Sequence, residues 1–390
     1  MKKPEICLVM IVRDEEDTIE KCIKSVAKYI SYWVIVDTGS VDKTKEKIHE
    51  VMGELGIPGE LHESEWVDFA HNRTENMRLS QGKGDWRFLM DADDEFVSFG
   101  ENPFEFLSDE HNGYHVDIEY GSINFKRMHL FRSDAEWEYE GKRHNYPVLR
   151  SGKPSIGLLQ NCSIKTSTSP EKRAESSDKK YANDAKILLA EHKKDPSNSR
   201  TVFYLAQSYR DANKPRSAIN WYKKRAEMGG WNEEVYYSLL QVAELSAKIG
   251  VKEDDVLDMY LKAWETRPSR LEACYMLMRI LGKNNRHFLA FTYGMMGYNM
   301  MLQHDAGNKD LLFVHRDAHK WLFLDEFSLS AYRNGQFETA KHVAESLINS
   351  SNWSYVPDNE KERIEKNLGY FNQSIEDKKK SAESAVSVKE

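Results

Sequence analysis

The amino-acid sequence predicts an α/β domain followed by an all-α domain, and three observations carry that reading. The first 165 residues alternate short apolar runs with amphipathic stretches, residues 166–180 are polar and serine-rich, and from Tyr181 onward every apolar pattern has a helical period. At 390 residues the chain also exceeds the usual size of one domain.

The runs ICLVMIV, WVIVDTG and WRFLMDADD read as strands, separated by the amphipathic stretches TIEKCIKSVAKYI and KTKEKIHEVMGEL. Ile6 to Val12, Trp33 to Asp37 and Trp86 to Met90 are nearly all apolar, as expected of parallel strands covered on both faces. Their polar ends then line a crevice at the carboxyl edge of the sheet, where open α/β folds take ligands. After DADD, the segments GYHVDIEY, INFKRMHLF and EWEYEG alternate without a helical period and predict a smaller antiparallel or mixed extension.

The interval TSTSPEKRAESSDKK, residues 166–180, has no apolar period and is expected to be a linker. Beyond it, TVFYLAQSYRDANKPRSAINWYKKRAE reads as helix, turn and helix, with Leu205, Ala206, Tyr209, Ala218 and Tyr222 spaced as in a tetratricopeptide unit. A second unit starts at Tyr236, and a third spans Phe327 to Leu347, with Ala331, Tyr332, Gly335, Phe337 and Ala340 in corresponding places. The Met- and aromatic-rich FTYGMMGYNMMLQHD fits a helix packed inside this array. Trp221, Trp231 and Trp264 can stack on sugars, although helical spacing more often makes such residues core. The helical domain is expected over 181–372, where it can also mediate a homodimer, and residues 373–390 read as a disordered tail.

Composition narrows the partners. A hydrophobic content of 40%, a charged content of 30% and a net charge of −8 give no general attraction to nucleic acid or anionic membrane. Four cysteines without a CxxC pair suggest neither a zinc site nor a disulfide framework, so reduced thiols and a cytoplasmic location are expected. No apolar run reaches the ~20 residues of a membrane span, and the N-terminal strand turns acidic where a signal peptide stays apolar.

The strongest chemical signal is Asp91-Ala92-Asp93-Asp94 directly after an apolar strand. Carboxylates gathered there repel one another unless a cation or donor groups sit among them. A divalent ion bridging them to a diphosphate relieves that repulsion, and an oxygen-only ligand set favours Mg²⁺ or Mn²⁺. Asp37 ends its own strand, where it can accept from a base imide or a ribose hydroxyl, or merely cap the turn through Gly39 and Ser40.

MIVRDEEDTIEKCIKSV, IVDTGSVDKT and GDWRFLMDADDEF, in that order and spacing, resemble the family 2 glycosyltransferases of GT-A (Rossmann-like) fold, especially those fused to tetratricopeptide repeats. The resemblance covers roughly the first 150 residues. It implies a metal-dependent, inverting transfer of a sugar from a nucleotide-sugar, with UDP the default nucleotide and UDP-glucose the leading donor, to a hydroxyl of a glycan or protein acceptor. By the same resemblance Arg13 and Glu15 open the nucleotide pocket, Asp37 meets base or ribose, Asp91 handles ribose and Asp93 the metal. In WVDFAHNRTENM, Arg73 falls on the family's arginine, for contact with base or phosphate, and Thr74 stands where the family has asparagine. In RMHLFRSDAEWEYEGKRHNYP, Gly141 and His144 match, with His144 a candidate metal ligand, while Asn145 replaces a glutamate. That replacement leaves the catalytic base open; Glu119 and Glu140 are the candidates. Two other readings compete: a nucleotidyltransferase, for which VRDEED is too acidic to cradle a triphosphate, and a non-catalytic scaffold carrying a degenerate transferase domain.

Overall fold

The computed structural model describes residues 3–141, 144–166, 177–303 and 311–387. The chain divides into two compact units, Met1–Ser177 and Asp178–Glu390. The expected linker lies mostly outside the described residues; within it, Thr166 closes a strand and Ser177 opens a helix.

The first unit is built on strands β1 (Ile6–Val12), β2 (Tyr32–Asp37), β3 (Gly59–Glu63), β4 (Trp86–Leu89), β5 (Asp94–Ser98), β6 (Gly113–Tyr120), β7 (Ile123–Arg132) and β10 (Ile156–Thr166). Their order across the sheet is β3-β2-β1-β4-β7-β6-β10-β5. The first four run parallel, β7 pairs antiparallel to β4, and β8 (Trp137–Glu140) and β9 (Tyr146–Leu149) form a separate two-stranded ribbon. The expected mixed extension is therefore present, and β3, too polar for an apolar-run signal, adds a parallel strand at the opposite edge, beside β2.

The apolar runs are explained by burial on both faces. Along β1, Ile6, Leu8, Met10 and Val12 join a core with Ile19, Cys22, Ile23 and Val26 of α1 (Ile19–Val26) and Ile48, Val51 and Met52 of α2 (Thr44–Leu55). The alternate residues Cys7 and Val9 pack on Met77 of α3 (Phe69–Leu79) and on Trp137 and Tyr139 of the ribbon. Because β1 lies between β2 and β4, the chain reverses direction across the sheet at β1, and a crevice opens at the carboxyl ends of these strands. Asn76 fixes α3 there by donating to the carbonyls of Met10 and Val34.

The second unit contains α4 (Ser177–Lys194), α5 (Ser199–Asp211), α6 (Pro215–Glu227), α7 (Asn232–Lys248), α8 (Glu253–Thr266), α9 (Leu271–Lys283), α10 (His287–Gln303), α11 (Phe323–Arg333), α12 (Phe337–Ile348) and α13 (Asp358–Ser387). Consecutive helices pack on one another, and the small residues anticipated at crossings, Ala206, Ala218, Ala331 and Ala340, are fully buried. On α10, a Cβ at Gly297 would stand 2.7 Å from the Phe323 ring, so glycine lets the Met-rich helix approach α11. Trp264 belongs to the core, whereas Trp231 is exposed beside the start of α7. Residues 373–387 are not a disordered tail: α13 runs through them, because Phe371 and Ile375 bury one face and the following residues lack helix breakers.

Within this unit three buried charged residues hold an extended segment of the chain. Glu233 accepts from the amides of Leu311 (3.1 Å) and Leu312 (3.3 Å), and Glu272 accepts from that of His315 (3.1 Å). Arg270, fully buried, donates to the carbonyls of Leu312 and Phe313 (both 3.1 Å) and pairs with both glutamates. Among the described residues no helix is long and apolar enough to cross a membrane.

Candidate active site

The crevice is shaped first by two loops that clasp each other. The amide of Asp14 donates to Ser40 Oγ (3.0 Å), and Val41 N donates back to Asp14 Oδ1 (2.8 Å). Glu15 N donates to Thr44 Oγ1 (2.7 Å), Glu16 N to Asp42 Oδ2 (3.1 Å), and Lys43 N to Glu16 Oε2 (3.0 Å). The acidic run after β1 thus fastens the β1 and β2 loops together. Glu15 also accepts the Thr18 hydroxyl (2.6 Å) at the start of α1, so it shapes this rim, and Arg13 stands exposed beside Asp14.

Asp37, at the end of β2, is 1% exposed. Its Oδ1 accepts from the amides of Gly39 (2.9 Å) and Ser40 (2.8 Å), the capping role, while its buried Oδ2 has no hydrogen-bond partner. A buried carboxylate oxygen normally finds a donor, so Asp37 caps the turn with one oxygen and leaves the other an unpaired acceptor.

Past the end of β4, Asp91 Oδ1 accepts from Arg73 at 2.5 Å. Arg73, on α3, is buried between the rings of Phe69 and Tyr139 (5.6 and 5.7 Å) and also donates to Asn145 Oδ1 at 2.9 Å. The arginine expected to touch base or phosphate gives its two terminal nitrogens to Asp91 and Asn145, while its buried Nε has no hydrogen-bond partner. Burial pushes the Asp91 carboxyl up, but the charges of Arg73 and Arg127 outweigh this and hold it at about 2. At Asp94 the balance is reversed: burial, then the charge of Asp91, outweighs a hydrogen bond from the Thr166 side chain and raises it to about 7. Thr74 supports the ribbon, its Oγ1 accepting from Tyr139 N at 2.9 Å.

Asp93 is half-buried beside these two. Among the described residues no three His, Cys, Asp or Glu side chains gather into a metal shell. His144 is exposed in a left-handed turn (φ 51°) after Gly141, and Asp91 is committed to Arg73. The donor set still suits a hard divalent ion of the kind that takes one or two carboxylates and completes its octahedron with phosphate and water oxygens, and the charge such an ion brings opposes the repulsion that raises Asp94.

The two base candidates lie on β8 and β6, and Glu119 is level with Lys165 of β10, one residue before the partner of Asp94. Glu140 on β8 gives Oε1 to Arg150 (2.7 Å) and Oε2 to the Tyr146 hydroxyl (3.3 Å). Glu119 pairs with Asn124 across the β6/β7 hairpin and is half-buried on the face opposite Val116 and Ile118.

Residues 7–149 match the model of the family described as glycosyl transferase family 2. These residues form a family 2 glycosyl transferase domain. The match runs from inside β1 to the end of the ribbon and includes the Asp37 and Asp91–Asp94 positions. A TPR repeat-containing protein of Synechococcus elongatus is 32% identical over 93 residues, 24% of this chain and 21% of that protein. The SPbeta prophage-derived glycosyltransferase SunS of Bacillus subtilis is 21% identical over 231 residues, 57% of this chain and 53% of SunS. The chain thus spans about half or less of the length of these curated relatives. Among solved structures, MamA is similar at 16% identity over 46% of this chain and 85% of MamA, with a TM-score of 0.33.

Two further residues lie beside this cluster, one that motif reading passed over and one that it noted only as a departure. In β7 the register slips by one between Leu130 and Met128, leaving His129 as an extra residue. His129 is buried, its Nδ1 donates to Leu89 O at 2.7 Å, and burial together with Arg127 drives its pKa down to about 3, so the ring is neutral. Asn145 belongs here as well, as an amide held by Arg73. An asparagine in a turn gives no sequence signal for that role, and a bulge shows only once strands are paired.

Proposed function

We propose that the transferase domain moves a sugar from a nucleotide-sugar, by family resemblance a UDP-sugar, to a hydroxyl of a glycan or protein acceptor. The observation that carries this reading is the buried, unpartnered Oδ2 of Asp37, on the same carboxyl edge as the Asp91–Asp94 cluster. An acceptor oxygen fixed by two backbone amides fits an imide N–H or a ribose hydroxyl. The clasped loops keep this pocket in shape, since each holds the other through side chain to backbone bonds.

Arg73 keeps Asp91 ionised and oriented, and Phe69 and Tyr139 flank the guanidinium. A Mn²⁺ or Mg²⁺ held through Asp93 would neutralise charge on the departing diphosphate. Positioning and electrostatic stabilisation then supply most of the rate, as the acceptor oxygen displaces the diphosphate at the anomeric carbon. The acidic β1 loop favours this over nucleotidyl transfer, because its carboxylates clasp the neighbouring loop and build no phosphate cradle.

The test is diphosphate release from UDP-, GDP- and dTDP-linked sugars with Mn²⁺, beside an Asp93→Ala control. Metal-dependent release from one donor class that the substitution abolishes is the expected result. No release and no metal-dependent nucleotide binding would leave a scaffold carrying a degenerate domain.

A further inference from the structure

Around Asp91 the basic groups differ in how they are committed. Arg73 is bonded to Asp91 and Asn145, and His129 is neutral with its Nδ1–H given to Leu89. Arg127 is different. The antiparallel register of β4 and β7 pairs Trp86 with Arg132 and Phe88 with Leu130, and continuing it past Leu89 brings Asp91 alongside Arg127. The slip at His129 turns Arg127 onto the face of Val116, its cross-strand partner, opposite to Lys126 and Asp117. Its charge acts on Asp91, Asp94, His129 and Tyr139, in keeping with that register at the acidic end of β4. Yet Arg127 is half-buried and makes no hydrogen bond or ion pair among the described residues.

A guanidinium sheltered in this way, carrying five donors, is suited to planar, bidentate capture of an oxyanion. Asp91 is already satisfied by Arg73, so Arg127 is available for an incoming anion, and the anion that the proposed reaction creates at this edge is a diphosphate. The geometry points to Arg127 as the protein's own ligand for the diphosphate of the donor, acting beside a metal at Asp93. This inference rests on the function proposed above and goes further, since it assigns leaving-group stabilisation to a residue on the mixed extension rather than to the acidic motif alone. Bond making and breaking are unchanged: the acceptor oxygen bonds to the anomeric carbon and gives up its proton to a base or water, the C–O bond to the diphosphate breaks with its electron pair kept on the diphosphate oxygen, and Arg127 donates its N–H groups to that oxyanion. The β-bulge at His129 is what aims it, because without the extra residue Arg127 would fall on the other face of β7.

The experiment measures the binding of UDP by calorimetry and of uridine by saturation-transfer NMR, with Mn²⁺ present, for the full chain and for Arg127→Gln and Arg127→Lys. Arg127→Gln is expected to weaken UDP roughly 10- to 100-fold, the loss of charge-assisted hydrogen bonds, while uridine binds as before. Arg127→Lys, which keeps the charge but not the fork, should fall between. Unchanged UDP affinity in Arg127→Gln would overturn the assignment, and so would an equal loss for UDP and uridine, which would mark a structural residue. A wild-type chain that binds neither ligand would instead sink the nucleotide-sugar reading, and this inference with it.

Discussion

The two oxygens of Asp37 have separate fates, one tied to the amides of Gly39 and Ser40 and one buried without a donor. Asp37→Asn can keep the first and turns the second from acceptor to donor. Its thermal midpoint is therefore expected to stay close to wild type while UDP affinity falls about 10-fold or more, read by calorimetry beside a melting curve. Glu140→Gln should leave turnover unchanged, because that carboxylate is already occupied by Arg150 and Tyr146; a large loss of kcat would restore it as the base. At this scale the sequence showed which residue types are present and not how they are paired. The acidic run after β1 looked like part of a pocket, yet Asp14 and Glu16 cap amides of the neighbouring loop. Arg73 was legible as a motif residue, but its burial between Phe69 and Tyr139 follows from where α3 and the ribbon meet, which no local pattern encodes.

At the scale of elements, strands buried on both faces announced themselves through continuous apolar runs, whereas β3 did not, since GELHE lies at the sheet's edge and is only half-buried. What holds β3 is polar. Glu60 accepts from Lys83 and from the Tyr32 hydroxyl (2.8 Å) and lies 3.0 Å from His62 Nε2, and these bonds, Lys83 first, draw its carboxyl down to about 2. A carboxylate whose folded pKa lies below its unfolded value of 4.5 stabilises the fold above that pH, and the contribution fades as pH falls toward 2. Urea midpoints of wild type and Glu60→Gln should therefore differ most at neutral pH and converge between pH 4.5 and 2. Solvent reaches this site, which keeps the difference small. In the helical unit, α10 was legible as a packed helix, and its glycines explain how. Gly297→Ala is expected to cost about 1–3 kcal/mol through overpacking against Phe323, measured by chemical denaturation. The C-terminal tail misled because lysines and glutamates without a strong apolar stripe read as disorder, while Phe371 and Ile375 anchor the helix that carries them.

The whole molecule is two units with separate cores, and the family match falls entirely inside the first. That division predicts which functions separate. The groups proposed for nucleotide and metal, Asp37, Asp91, Asp93 and Arg127, all lie before Ser177, so a fragment of residues 1–177 should bind UDP with Mn²⁺ as the full chain does. The helical unit has its own determinant of integrity in Arg270, which neutralises Glu233 and Glu272 and holds the Leu311–His315 segment. Arg270→Met removes the cation that two buried carboxylates share, leaving Glu233 to Arg267 (3.2 Å) and Glu272 to His319 (3.1 Å), and the cost should be about 3–5 kcal/mol. If the units unfold independently, calorimetry of the Arg270→Met chain will show one transition lowered and one unmoved, with UDP still shifting only the unmoved one upward through mass action. A single cooperative transition lowered as a whole would mean instead that the helical array carries the transferase domain's stability. Binding measured on the fragment would then report on an unfolded chain, and loss of UDP binding there would say nothing against the site.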